Sequence, residues 1–159
     1  MTRIFVLASV FGVTMFAFPL PAVAGDPKPE QLAKVAAGEL SKALKAKSLE
    51  GALKVIDVPF LKDNGKIVNN QGELKKYLEA AIAAIKDPDT APVEIIAVLP
   101  YAKAREKANE DDRKALDQVL NKNDWVVFIG RENRRIYSAL VRVKDGKAKV
   151  VGLGGPGTP

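Results

Sequence analysis

Apolar residues recur every three or four positions in the first half of the chain, which is typical of amphipathic helices. One such stripe covers residues 30–47, and a shorter helix is expected over residues 49–56. A third stripe runs over residues 74–85, behind Asn70 and Glu73, which form a capping-box pattern with Asn in place of Ser or Thr. The first half is therefore predicted to be mainly helical.

The second half is rich in β-branched and aliphatic runs, which are typical of strands. These runs predict strands over residues 93–99, 125–129, 135–143 and 148–153. Two dipeptides that favour tight turns, Asn64-Gly65 and Asp145-Gly146, predict a small early hairpin and the connection between the last two strands. One more helix is expected within residues 103–120, between the first and the second long strand.

Helices followed by an antiparallel sheet predict an α+β fold in which the N-terminal helices pack on one face of the sheet. The strand over residues 135–143 places Val141 on one face and Ile136 and Leu140 on the other. An apolar second face also needs a cover. Either a second copy of the chain provides it, which predicts a homodimer through the sheet face, or the extra helix within residues 103–120 does.

Residues 1–24 have the pattern of a secretory signal peptide. Arg3 gives a charged start, residues 4–20 carry no charge, and Ala22-Val23-Ala24 supplies the small residues that a signal peptidase needs. The cut is predicted between Ala24 and Gly25, which makes the protein secreted or periplasmic, with no stable membrane span after cleavage. The alternative is an uncleaved N-terminal anchor.

The remainder is predicted to be one α+β domain over residues 25–153, because no linker or internal repeat divides it. The Gly- and Pro-rich residues 154–159 are expected to form a flexible tail. The chain has no Cys and no His, which excludes a thiol nucleophile, a Ser-His-Asp triad and the usual zinc and haem ligands. The carboxylates within residues 110–117 lack calcium-loop spacing, so we expect no metal and no cofactor.

The chain is basic, with 25 Lys and Arg against 19 Asp and Glu. Arg131, Arg134 and Arg135 cluster at a strand turn and predict an anion-binding site, because guanidinium groups bind oxyanions with defined geometry. The alternative is that these charges only keep a sheet edge soluble. Nucleic acid is not an expected partner, since the chain carries an export signal and lacks the interleaved aromatic and basic residues that stack on bases.

The order of the elements, with the segments DVPFLKDNGKIV, NDWVVFIG and SALVRVKDGKAKVVGL, resembles the nuclear-transport-factor-two-like (SnoaL-like) superfamily. The resemblance spans about residues 30–153. It implies that the helices pack into a strongly curved sheet, forming a cone whose open end is often a small-molecule pocket. The segment 103–120 departs from the family pattern, in which a short turn joins these two strands.

In such a cone, three aromatic residues are expected to line the ligand pocket: Phe60, Trp125 and Tyr137. The alternative is that they belong to the core, since large aromatic side chains dominate core burial. The expected function is an exported, non-catalytic module. It would bind a small-molecule or anionic ligand, or a partner protein, through the cone or the sheet face.

A small isomerase- or dehydratase-like enzyme is the alternative function. In the ketosteroid-isomerase branch a carboxylate moves a proton while a Tyr hydroxyl stabilises an oxyanion, and Asp57 with Tyr101 or Tyr137 would supply these groups. The alternative for Asp57 is a solvated position at the end of the second helix, before Pro59, where the Asp side chain only shapes its own turn. The enzyme requires a carboxylate buried within reach of a Tyr hydroxyl, whereas the binding module does not.

Cleavage after Ala24 predicts that protein recovered from the exported fraction of its own host has an intact mass matching residues 25–159. Intact-mass spectrometry measures this, with the unprocessed chain from the cytoplasmic fraction as the control. A mass that retains residues 1–24 in the exported fraction would contradict cleavage and favour the N-terminal anchor.

Overall fold

The computed structural model describes residues 28–85, 93–131 and 134–154. The predicted signal peptide over residues 1–24 lies outside the described residues, as does the predicted tail apart from Gly154. Within the described ranges, no helix is long and apolar enough to cross a membrane.

The described residues form five helices and six strands. The helices are α1 (Pro29–Lys45), α2 (Leu49–Val55), α3 (Gln71–Ala84), α4 (Tyr101–Lys107) and α5 (Glu110–Val119). The strands are β1 (Ile56–Leu61), β2 (Ile67–Val68), β3 (Glu94–Pro100), β4 (Trp125–Arg131), β5 (Arg134–Lys144) and β6 (Lys147–Gly154). The α+β class is confirmed. The predicted extra helix between the first two long strands is also present, but the segment contains two helices, α4 and α5, where one was expected.

Local signals in the sequence set several element boundaries. The Asn70 side chain accepts a hydrogen bond from the Glu73 amide at 2.8 Å, which confirms the predicted start of α3. Asp145 and Gly146 both have positive φ, at 51° and 70°, as the predicted hairpin turn requires. Helix α2 ends at Val55, earlier than predicted, because β1 begins at Ile56 and joins the sheet.

The six strands form one sheet in the order β2-β1-β6-β5-β4-β3. The pairings are antiparallel except that β1 runs parallel to β6, with Ile56 opposite Val150. The predicted antiparallel sheet is therefore mixed. The cause is that β1 and β6 are far apart in the chain, so no hairpin dictates their relative direction. Register shifts interrupt four of the pairings, and such bulges bend and twist strands, as a curved sheet requires.

Both faces of the central strands are apolar, and each face is covered by its own helices. Val127 and Ile129 on β4 join the core formed with α1, α2 and α3, which we call the first core. The alternate residues Val126 and Phe128 join a second core with α4 and α5, together with Leu140. Of the two covers considered for this face, the chain's own helices α4 and α5 are present. The homodimer stays a prediction.

A buried carboxylate fastens the turn between α5 and β4. Asp124 is only 2% exposed, and its side chain accepts hydrogen bonds from the Asn121 amide at 2.8 Å and the Val143 amide at 3.1 Å. Its backbone carbonyl accepts a third from the Tyr101 amide at 2.9 Å. Burial of this charge is tolerated because the carboxylate is hydrogen-bonded. Asp124 therefore ties together the start of α4, the turn after α5 and the end of β5.

Candidate functional site

A cavity of about 540 Å³ lies on the face of the sheet that carries the first core, between α1 and the strands β3 and β4. We call it the α1–β3 cavity. It is lined by Gly38, Ser41, Lys42, Lys45, Val93, Glu94, Ile95 and Ile129. The strand side contributes mainly apolar surface together with the Glu94 carboxylate, and α1 contributes the Ser41 hydroxyl and two lysines. Its volume is in the range of small-molecule sites.

Small residues on α1 explain how the helix packs and why room remains. The helix buries Ala33, Ala36 and Ala37 against the sheet, which allows a close approach. At Gly38 the helix has no side chain, and an added Cβ would meet no atom within 4 Å. A Gly within a helix costs roughly 1 kcal/mol relative to Ala. Gly38 therefore lowers the stability of α1, and its missing side chain leaves space in the cavity.

The Tyr137 hydroxyl is the polar group that the first core leaves unsatisfied. Tyr137 on β5 packs against the first core, and its hydroxyl is buried with no hydrogen-bond partner in the described part of the chain. Burial raises the pKa of Tyr137, and the neighbouring Ser41 hydroxyl opposes that rise, although the two groups do not meet in hydrogen-bonding geometry. Ser41 itself lines the cavity. A buried hydroxyl without a partner is costly, which makes this position unusual.

The other two predicted pocket aromatics lie in or against the first core. Phe60 is fully buried, and its ring centroid is 5.9 Å from that of Tyr77. Trp125 is half-buried and packs against the same core. Neither residue lines the α1–β3 cavity. With no exposed surface, Phe60 has no access to a ligand in this conformation.

The proposed catalytic groups have separate partners. The Asp57 carboxylate accepts a hydrogen bond from the Val58 amide at 2.8 Å and another from the Gln71 side chain at 3.4 Å. Tyr101 packs against the second core, whereas Tyr137 packs against the first, so the sheet separates the two hydroxyls. No hydrogen bond in the described residues joins Asp57 to either Tyr. A catalytic role for these residues stays a prediction.

The Tyr101 hydroxyl belongs to a surface network between α4 and α5. It donates to Asp117, which also accepts two hydrogen bonds from the Arg105 guanidinium, at 2.9 and 3.0 Å. Arg105 and Tyr101 together lower the pKa of Asp117, and the bond to Asp117 raises the pKa of Tyr101. These groups hold the two helices together at an exposed position.

The predicted anion site falls at the shared end of β4 and β5, where Arg131 pairs with Arg134 and Gly130 pairs with Arg135. The side chains of the three Arg residues lie outside the described residues. Anion binding at this place stays a prediction.

Sequence reasoning named none of the residues that line the α1–β3 cavity as site residues, and Tyr137 is not itself in the lining but lies next to Ser41, which is. The α1 side of the cavity consists of Gly38, Ser41, Lys42 and Lys45. The lysines looked like part of a solvated helix face. The available signal was Gly38, since an isolated Gly inside a helical pattern often has a packing or functional reason.

A second, smaller cavity of about 110 Å³ lies on the opposite face, between the sheet and the helices α4 and α5. It is lined largely by apolar residues of the second core, including Ala104, Leu116 and Leu140. At this volume it is too small for a typical ligand site.

Comparison with protein-family models and with curated proteins gives no match. Among solved structures, the chain is similar to a protein from Burkholderia xenovorans LB400 that is described as an NTF-2 like protein of unknown function. The two are 13% identical with a TM-score of 0.41, over 80% of this chain and 84% of the other. At this identity and TM-score the similarity assigns neither a family nor an activity to this chain.

The substitution Tyr137→Phe is expected to leave the free energy of unfolding unchanged or to raise it by about 1 kcal/mol, because the hydroxyl has no partner to lose. Urea unfolding measures the effect. Tyr101→Phe is the matched control, and it should lower stability by roughly 0.5–1.5 kcal/mol because it loses the bond to Asp117. A loss of more than about 1 kcal/mol in Tyr137→Phe would show that the hydroxyl is bonded within the protein.

Proposed function

We propose that this chain is an exported, non-catalytic module that binds a small ligand in the α1–β3 cavity. The observation that carries the proposal is the Tyr137 hydroxyl, buried without a partner beside Ser41, which lines the cavity. Buried polar groups in proteins are nearly always hydrogen-bonded. A ligand oxygen that reaches past Ser41 would supply the missing partner.

The lining specifies the chemistry of the ligand. Val93, Ile95 and Ile129 offer apolar surface from β3, β4 and the residue before β3, which suits an apolar body. Burial of such a body contributes about 25 cal/mol per Å² of apolar surface. Lys42 and Lys45 stand on the α1 side and favour an anionic group, with Lys42 also paired to Glu39 at 2.7 Å. The ligand class is therefore a small amphiphile with an acidic or hydrogen-bond-accepting group.

Binding is favoured over catalysis by the placement of the acidic groups. Among the described residues that line the cavity, Glu94 is the sole carboxylate, and it lies in the exposed first part of β3. Asp57 lies elsewhere, on β1, with partners of its own. A general base must be within hydrogen-bond reach of the proton that it removes, and a pocket that holds a ligand needs no such group.

Gly38→Leu is expected to fill the α1–β3 cavity and raise the dissociation constant of an amphiphilic probe at least tenfold. The probe is 8-anilinonaphthalene-1-sulfonate, whose aromatic rings and sulfonate match the apolar strands and the α1 lysines, and fluorescence titration measures its binding. The variant should fold, because a Cβ at Gly38 meets no atom within 4 Å and Leu favours helix over Gly by roughly 1 kcal/mol.

Gly72→Leu on α3 is the matched control, since it makes the same change in a helix that does not line the cavity. It should bind the probe like the unmodified protein. Equal probe binding by the two variants, with both folded by circular dichroism, would contradict binding in this cavity.

A further inference from the structure

A third cavity, of about 410 Å³, lies beside the turn that joins β5 and β6. It is lined by Asp57, Asn121, Arg142, Lys144, Lys147 and Lys149. We propose that this basic cavity is a binding site for an oxyanion of the phosphate class. The proposal is separate from the α1–β3 cavity, with which it shares no lining residue.

The four cations form two cross-strand pairs. Arg142 lies opposite Lys149, and Lys144 lies opposite Lys147, in the antiparallel register of β5 and β6. The two-residue turn with positive φ at Asp145 and Gly146 fixes that register. Residues two apart on a strand share a face, so the hairpin concentrates four positive charges on one side.

Such pairing is unfavourable unless something compensates it, since like charges directly opposite in a sheet destabilise the pair. Within the described ranges none of the four forms an ion pair with a carboxylate. Several helix lysines of the same chain do, as Lys34 does with Glu30 at 2.8 Å. The four cations of the hairpin instead stand opposite one another with no carboxylate paired to them, and an external anion would offset their repulsion.

Two of the cations are held in place by backbone carbonyls. The Arg142 guanidinium donates to the Val119 carbonyl at 2.8 Å, at the end of α5, and the Lys149 ammonium donates to the Lys54 carbonyl in the last turn of α2. Each keeps donors to spare, because a guanidinium has five and an ammonium has three. The exposed Lys144 and Lys147 complete the site from the turn.

The lining also sets the charge of the ligand. One carboxylate, Asp57, stands among the four cations, and its side chain is engaged with the Val58 amide and Gln71. The surplus of positive charge therefore suits a multiply charged oxyanion more than a single carboxylate group. Asn121 adds an uncharged amide to the lining.

The test compares two double variants that remove the same charge. Lys144→Gln with Lys147→Gln should raise the dissociation constant for inorganic pyrophosphate at least tenfold, measured by isothermal titration calorimetry at fixed ionic strength near 0.15 M. Lys76→Gln with Lys107→Gln, at exposed positions on α3 and α4, should change it less than twofold. The first double variant should also have a higher thermal midpoint without pyrophosphate, because it removes a like-charge pair.

A similar loss in both double variants would reduce the effect to diffuse positive charge and overturn the site. Vesicles of phosphatidylglycerol in phosphatidylcholine distinguish the source of the phosphate. Binding to vesicles that pyrophosphate displaces and the Lys144/Lys147 variant loses supports the site and assigns a lipid headgroup. Binding to pyrophosphate alone supports it with a soluble ligand. Binding to neither probe at this ionic strength overturns it.

Discussion

The strands β4, β5 and β6 are apolar on both faces, and the rest of the molecule follows from the need to cover both. Neighbouring residues such as Val150 and Val151, or Ala139 and Leu140, enter different cores. Helices α1 to α3 cover one face, while α4 and α5 cover the other. Without the inserted helices, the second face would expose an apolar surface that favours association.

The cavities lie where these covers end. Helix α1 crosses the sheet from β6 to β3, and the α1–β3 cavity forms where it reaches the edge strand. The basic cavity lies next to the β5–β6 turn, beyond the end of α5, where α4 and α5 no longer cover the sheet. Both places break a local rule, with an unpartnered Tyr137 hydroxyl next to a lining residue of the first and like-charge strand pairs in the second. Local rules in natural proteins are broken most often at functional sites.

The sequence predicted the features that depend on neighbours in the chain. The α3 cap and the Asp145-Gly146 turn are local, and both were found. The parallel pairing of β1 with β6 depends on contacts between distant segments, which no periodicity reports. Ser41 and Tyr137 are also far apart in the chain, so the sequence did not show that they lie near each other. The cross-strand cations were within reach of sequence reasoning, because a two-residue turn fixes which residues lie opposite each other.

The most direct test of ligand binding is a crystal structure of the protein purified from its own host without unfolding. The α1–β3 cavity should then contain density for a small molecule, with one of its oxygens within hydrogen-bond distance of the Tyr137 and Ser41 hydroxyls. A cavity closed by the chain's own side chains, with the Tyr137 hydroxyl bonded to another protein group, would contradict the proposed binding function.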